Sequence, residues 1–192
     1  MKKTTLRFTI AAMLAALTFV LGMTPIGIIP IPPANVTIMH IPVIIGTLVC
    51  GLKTGLLLGG VFGLTSSIRA FTAPSALIAP VMGVSPILAI FISVASRLMI
   101  PVVTYFVNKL ISKKSDKIAV PVASALGTIT NTVCYLGLML LTYVSFGIDS
   151  TTLLSVIGGV GALNGSCEAA AAVIICTPVV FAVRKFLGSR LG

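Results

Sequence analysis

Long apolar runs, broken only by short basic or proline-rich connections, are the feature that most restricts what this sequence can become. Each run approaches the roughly 20 residues that cross a bilayer as a helix. Charged residues make up only 8% of the chain and hydrophobic ones 57%, against about 25% charged in a soluble domain. A surface made from such residues does not face water. A chain of 192 residues has room for about six such runs with short connections. The sequence therefore predicts an all-α integral membrane protein, one domain over 1–192. It is a bundle of six transmembrane helices at about 6–23, 36–52, 54–68, 87–110, 118–146 and 153–186. The basic, apolar start is read as a retained first helix, because no small-x-small cleavage site follows it.

The formal charge of +10 is explained by the connections. Lysine and arginine gather at the amino terminus, at Lys53, between Lys109 and Lys117, and at the carboxyl terminus. Only Arg69 and Arg97 lie elsewhere. Such asymmetry predicts that both termini are cytoplasmic. The cations lack the aromatic neighbours that stack bases, so nucleic-acid binding is excluded.

Several chemistries are excluded as well. The four cysteines, Cys50, Cys134, Cys167 and Cys176, form no CxxC pair and read as small hydrophobes, with no disulfide and no metal. One histidine is too few for a metal site built from convergent ligands. The stretch from Gly46 to Thr54 mimics a phosphate-binding loop but carries an extra residue and joins two membrane segments. There is no nucleophile with a base beside it, so no enzyme activity and no cofactor is expected.

The connection 24–46, TPIGIIPIPPANVTIMHIPVIIG, holds Pro25, Pro30, Pro32, Pro33 and Pro42, which prevent a continuous helix. Its strongly polar side chains are Asn35, Thr37 and His40. It reads either as a plain interfacial connection or as a plug folded over a pocket. Small residues mark two helices. Ala11 and Ala15, with Ala12 and Ala16 beside them, permit close approach of another helix, inside this chain or in a partner. Gly51, Gly55, Gly59 and Gly63 form a ridge on the third helix, favouring tight internal packing over a sliding face.

Polar groups inside the spans mark the candidate site. Arg97 and Glu168 are charges within apolar runs, which are costly unless paired or facing a cavity. Asn131 and Tyr135 are one helical turn apart, as are Asn164 and Glu168. Helices four, five and six thus present a polar cluster beneath the outer loops, suited to a small molecule. An Arg97–Glu168 ion pair tying two helices together is the bland alternative. Arg69 is either a snorkelling helix-end cation or a charge at the pocket mouth. The candidate substrate-binding set is Asn35, His40, Arg69, Arg97, Asn131, Tyr135, Asn164 and Glu168.

These features resemble the substrate-binding S component of an energy-coupling-factor (ECF) vitamin importer. The likeness rests on AAMLAAL in helix one, on TIMHIPVIIG leading through a short turn into GLKTGLLLGGVFGLTSSIRAF, and on Ser96-Arg97-Leu98 in helix four. His40 to Gly46 and Phe62 to Ser66 resemble the pantothenate-type branch. The resemblance implies a non-enzymatic subunit of the bacterial plasma membrane that captures a vitamin from outside. It docks, through the alanines at 11, 12, 15 and 16, on a transmembrane coupling subunit driven by two ATPases. The sequence departs from the pattern at Ser96, where a proline is expected, and has Pro101 instead. Another vitamin or precursor (pyridoxine, a thiamine precursor) also satisfies the residues. A self-sufficient ion-coupled transporter using Arg97 and Glu168 is the alternative from another class, though no inverted repeat is visible.

Overall fold

The computed structural model describes residues 3–24, 27–31 and 34–191, with only the backbone described at 3, 4, 28–31, 34–36, 152, 160–163 and 189–191. The elements in order are α1 (Lys3–Met23), strands β1 (Ile28–Ile31) and β2 (Ala34–Thr37), α2 (His40–Cys50), α3 (Leu52–Thr72), α4 (Ile78–Val84), α5 (Pro86–Ile111) and α6 (Asp116–Phe146). Then come α7 (Thr151–Ser155), a π-helical segment (Val156–Gly161) and α8 (Ala162–Leu191). Five helical stretches are long and apolar enough to cross a membrane: Thr5–Met23, Leu52–Thr72, Pro86–Ile111, Asp116–Phe146 and Asn164–Gly188. Their outward faces carry large apolar side chains such as Phe8, Ile87, Phe91, Leu141 and Ile174, as a lipid-facing surface requires. The fold is that of a multi-pass membrane protein.

The second expected span is corrected. The helix begins at His40, not at 36, and ends at Cys50. Residues before it pair as an antiparallel hairpin, with Ile28 opposite Thr37 and Ile31 opposite Ala34. Pro30 fits because both strands of such a ribbon are edges, where a missing donor is tolerated. The bundle is all-α in class, with one small ribbon ahead of α2. At 11 residues, α2 is about 16 Å long, roughly half of the hydrocarbon core. Every residue from His40 to Leu48 is buried. A helix apolar on all sides belongs inside a protein, and α2 is the centre of the main core, around Val43, Ile44, Leu58, Phe62 and Ile100.

Close helix contacts explain the glycine ridge. A Cβ on Gly59 would lie 2.9 Å from the Arg97 carbonyl oxygen, and one on Gly63 would lie 2.9 Å from Val94 Cα. Gly55 meets Thr47 of α2 and Pro101 of α5. From Gly55 to Gly63 the ridge is thus an internal seam against α5, whereas Gly51 lies at the turn before α3 with no neighbour at its Cβ position. Pro101 has no N–H to offer the Arg97 carbonyl one turn earlier, and it is this freed carbonyl that Gly59 faces.

The turns follow from local chemistry. Gly51, at φ 95°, lets α3 start directly after α2, a conformation that disfavours a side chain. Gly147, at φ 62°, ends α6, with the Ile148 N–H donating to the Tyr143 carbonyl at 2.9 Å in the manner of a Schellman cap. Ser85 caps α5 through the Leu88 N–H, with Pro86 in the first turn. Asp149 accepts from the backbone N–H and hydroxyl of Thr151, and these two bonds hold its carboxyl below the usual carboxylate range.

Other boundaries shift too. The third helix, expected at 54–68, runs on to Thr72, and part of the following connection folds as α4. The last helix, expected as 153–186 with a break at its glycines, is divided by the π segment that contains Gly158, Gly159 and Gly161. The basic connections lie at the end opposite the hairpin. There Arg184 donates to the Leu48 carbonyl at 2.8 and 3.3 Å and approaches Asp116 at 3.8 Å. A cation on the last carbonyls of α2 also complements that helix's dipole.

Candidate functional site

A cavity of about 230 Å³ opens beneath the hairpin, somewhat below the roughly 300–1,000 Å³ of drug-sized sites. The end of β2 contributes Thr37, α3 contributes Phe62, Ser66 and Arg69, and the α3–α4 connection covers one side with residues up to Leu77. From α5 come Ser93 and Arg97, from α6 Asn131, Thr132 and Tyr135, and from α8 Asn164, Gly165 and Glu168. Three helices therefore each supply a pair one turn apart: Ser93 and Arg97, Asn131 and Tyr135, Asn164 and Glu168.

Arg97 is the centre of the polar wall. Its guanidinium lies 4.5 Å from the Tyr135 ring centroid and 5.3 Å from that of Phe62. Both rings attract a cation and hold the planar group between them. One terminal nitrogen, Nη1, donates to Ser96 Oγ at 2.7 Å, and Nε has no partner. The ion pair with Glu168 that the sequence allowed does not form. Among the described residues, the salt bridge is Arg184–Asp116, at the far end of the bundle. Glu168 accepts instead from the Thr37 N–H at 2.6 Å and from the Thr37 hydroxyl at 3.3 Å. A bond to a carboxylate is stronger than one between neutral groups, so this contact ties the hairpin to α8.

Of the other buried polar atoms without a partner, two belong to residues at this site: Asn131 Oδ1 and Asn164 Nδ2. Both residues line the cavity. Buried polar atoms rarely go unpaired in a folded protein. Three of them, counting Arg97 Nε, around one cavity make a set of donors and an acceptor that a bound polar molecule would complete.

Six of the residues singled out from the sequence meet here: Arg69, Arg97, Asn131, Tyr135, Asn164 and Glu168. Arg69 lines the cavity, and its Nη1 donates to the Gly22 carbonyl at 3.0 Å. His40 is fully buried and is not among the residues that line the cavity; it lies beside Thr37 and Glu168. The Asn35 side chain is outside what the structure describes, and only its place opposite Pro30 is known. Sequence reasoning missed Phe62, Ser66, Ser93 and Thr132 as site residues. Ser93 had a readable signal, one turn before Arg97, but hydroxyls in apolar helices usually bond their own backbone, as Ser96 does to Ile92. Of the alanines, Ala12 and Ala16 are exposed, whereas Ala15 packs on the core.

The second cover of the cavity is held by Tyr143, whose hydroxyl donates to the Leu77 carbonyl at 2.7 Å. Removing one such hydrogen bond costs about 1 kcal/mol. Tyr143→Phe is expected to speed ligand release about fivefold, measured by stopped flow, with the fold intact. An unchanged rate would mean that the α3–α4 connection is held by its apolar contacts alone.

A lipid-facing helical bundle closed around a small polar cavity is the architecture of a membrane protein that captures a solute. The comparisons with known proteins name the class. The chain belongs to the family described as ECF transporter, substrate-specific component, which it matches over residues 6–180. It is similar to the pantothenic acid transporter PanT of Lactococcus lactis subsp. cremoris (strain MG1363), with 33% identity over 165 residues that cover 80% of each protein. Both the family and this relative are transporters, not enzymes.

Proposed function

We propose that this chain is the pantothenate-binding S component of an ATP-driven ECF importer in a bacterial plasma membrane. The observation that carries the reading is Arg97, a cation on the cavity wall that forms no salt bridge with Glu168, whose carboxylate is bonded to Thr37 instead. A buried guanidinium with no direct ion pair is costly, and a substrate carboxylate would supply that pair through bidentate hydrogen bonds. Asn131 and Asn164 suit the amide and hydroxyls of pantothenate, and the apolar cover suits its dimethyl group. The relative's name points the same way.

The family supports the rest of the proposal. The hairpin and α2 together make one of six crossings, both termini are cytoplasmic, and the cavity opens outward. Ala11, Ala12, Ala15 and Ala16 form the face that docks on a transmembrane coupling subunit, which two cytoplasmic ATPases drive. Another vitamin or precursor remains the alternative cargo.

The test is binding of labelled pantothenate to the purified chain in detergent, with pyridoxine and thiamine as competitors. Saturable submicromolar binding displaced only by pantothenate is expected. Displacement by another vitamin would keep the class and overturn the substrate. Uptake driven by a proton gradient, in vesicles without ATPase subunits, would instead establish a self-sufficient transporter.

A further inference from the structure

The cavity has two poles. On α5 stands the Arg97 guanidinium, and on α8 stands the Glu168 carboxylate, 6% exposed and also part of the wall. Both donors that Thr37 presents go to Oε1 of Glu168. A carboxylate carries acceptor lone pairs on both oxygens, so Glu168 has acceptor capacity beyond the two Thr37 bonds, on a residue that lines the cavity.

From this geometry we infer that Glu168 determines specificity. It accepts from the hydroxyl end of a monoanionic substrate whose carboxylate lies on Arg97, and it excludes a substrate that carries a second negative charge at that end. The inference rests on the pantothenate reading. Pantothenate has one carboxylate at one end and two hydroxyls at the other, which matches the two poles. Phosphorylating its primary hydroxyl places an anion against Glu168. Like charges face each other at high cost where water is scarce, and the wall opposite is already committed to the carboxylate. Glu168 thus selects which anion enters.

The test is calorimetric titration of the purified full chain with three ligands: pantothenate, its phosphate ester at the primary hydroxyl, and the acetyl ester of the same hydroxyl as an uncharged control of bulk. The acetyl ester is expected to bind at least about tenfold more tightly than the phosphate ester. Glu168→Gln, which keeps an acceptor oxygen for Thr37, is expected to shrink the preference for pantothenate over the phosphate ester by about tenfold or more. Equal rejection of both esters by the unmodified chain would overturn the inference, since bulk alone would decide. So would an unchanged preference in Glu168→Gln. If that variant does not fold, the two esters on the unmodified chain still decide. Failure of pantothenate itself to bind would overturn the functional reading and this inference with it, whereas pantothenate binding with either of the other results removes only the role of Glu168.

Discussion

Arg97→Ala is expected to abolish submicromolar pantothenate binding, raising Kd at least about 100-fold, which corresponds to about 2.7 kcal/mol. The size follows from what the guanidinium is expected to do. Losing one member of a desolvated, hydrogen-bonded charge pair costs about 2–5 kcal/mol, and here the bereft partner would be the ligand carboxylate inside a cavity lined by Phe62 and Tyr135. Arg97→Lys is the sharper variant. It keeps the charge but loses the planar fork between the two rings, 4.5 and 5.3 Å away, and a Lys ammonium is a compact, strongly hydrated point charge. Its affinity is expected to fall between the other two, roughly tenfold below the unmodified chain. Equilibrium binding checks both, with the melting temperature recorded to show that the bundle persists. Unchanged affinity in Arg97→Ala would place the carboxylate elsewhere, with Arg69 as the next cation on the wall.

Gly63→Val separates α3 from α5 and is expected to cost both stability and binding. A Cβ at this position would lie 2.9 Å from Val94 Cα, and 3.2 Å from its Cγ2. The nearest obstacle is backbone, so no rotamer change relieves it. Overpacking of this kind costs about 1–3 kcal/mol. Replacing a helical glycine would otherwise return up to about 1 kcal/mol of propensity, so a net loss reports the contact itself. Because Gly59 meets the Arg97 carbonyl one turn away on the same seam, moving α5 also displaces the guanidinium from the cavity. A lowered melting temperature together with weakened binding is the expected pair of results. A variant as stable and as tight as the parent would show that α3 and α5 do not approach as closely as described.

These two residues also show how far the sequence could be read. Arg97 stood out because a charge in an apolar run must face something polar, and the glycine ridge stood out because its four-residue spacing is a one-dimensional pattern. The spans were legible for the same reason. Hydropathy is a local quantity, and a backbone in lipid has few ways to satisfy itself other than a helix. The paired positions 131 and 135, and 164 and 168, were legible from helical periodicity alone.

What the sequence by itself determined, then, is a membrane bundle with a polar cluster near one end and a set of eight candidate residues, six of which line one cavity. Two decisions were left to the tertiary structure. The first is the course of residues 28–31 and 34–40, where an apolar run becomes a ribbon followed by the start of a short core helix. Local propensity cannot choose between that and a longer helix, because the choice depends on strands that meet only when β1 pairs with β2. The second is the partner of Glu168. Sequence chemistry offered Arg97, the opposite charge, yet the carboxylate went to Thr37, 131 residues earlier in the chain. The reason is reach: the hairpin brings a backbone N–H and a hydroxyl onto α8, while Arg97 is held by Phe62, Tyr135 and Ser96. Complementary charge makes a pair possible, but only packing sets which groups come within bonding distance. That packing leaves Arg97 free to meet a ligand.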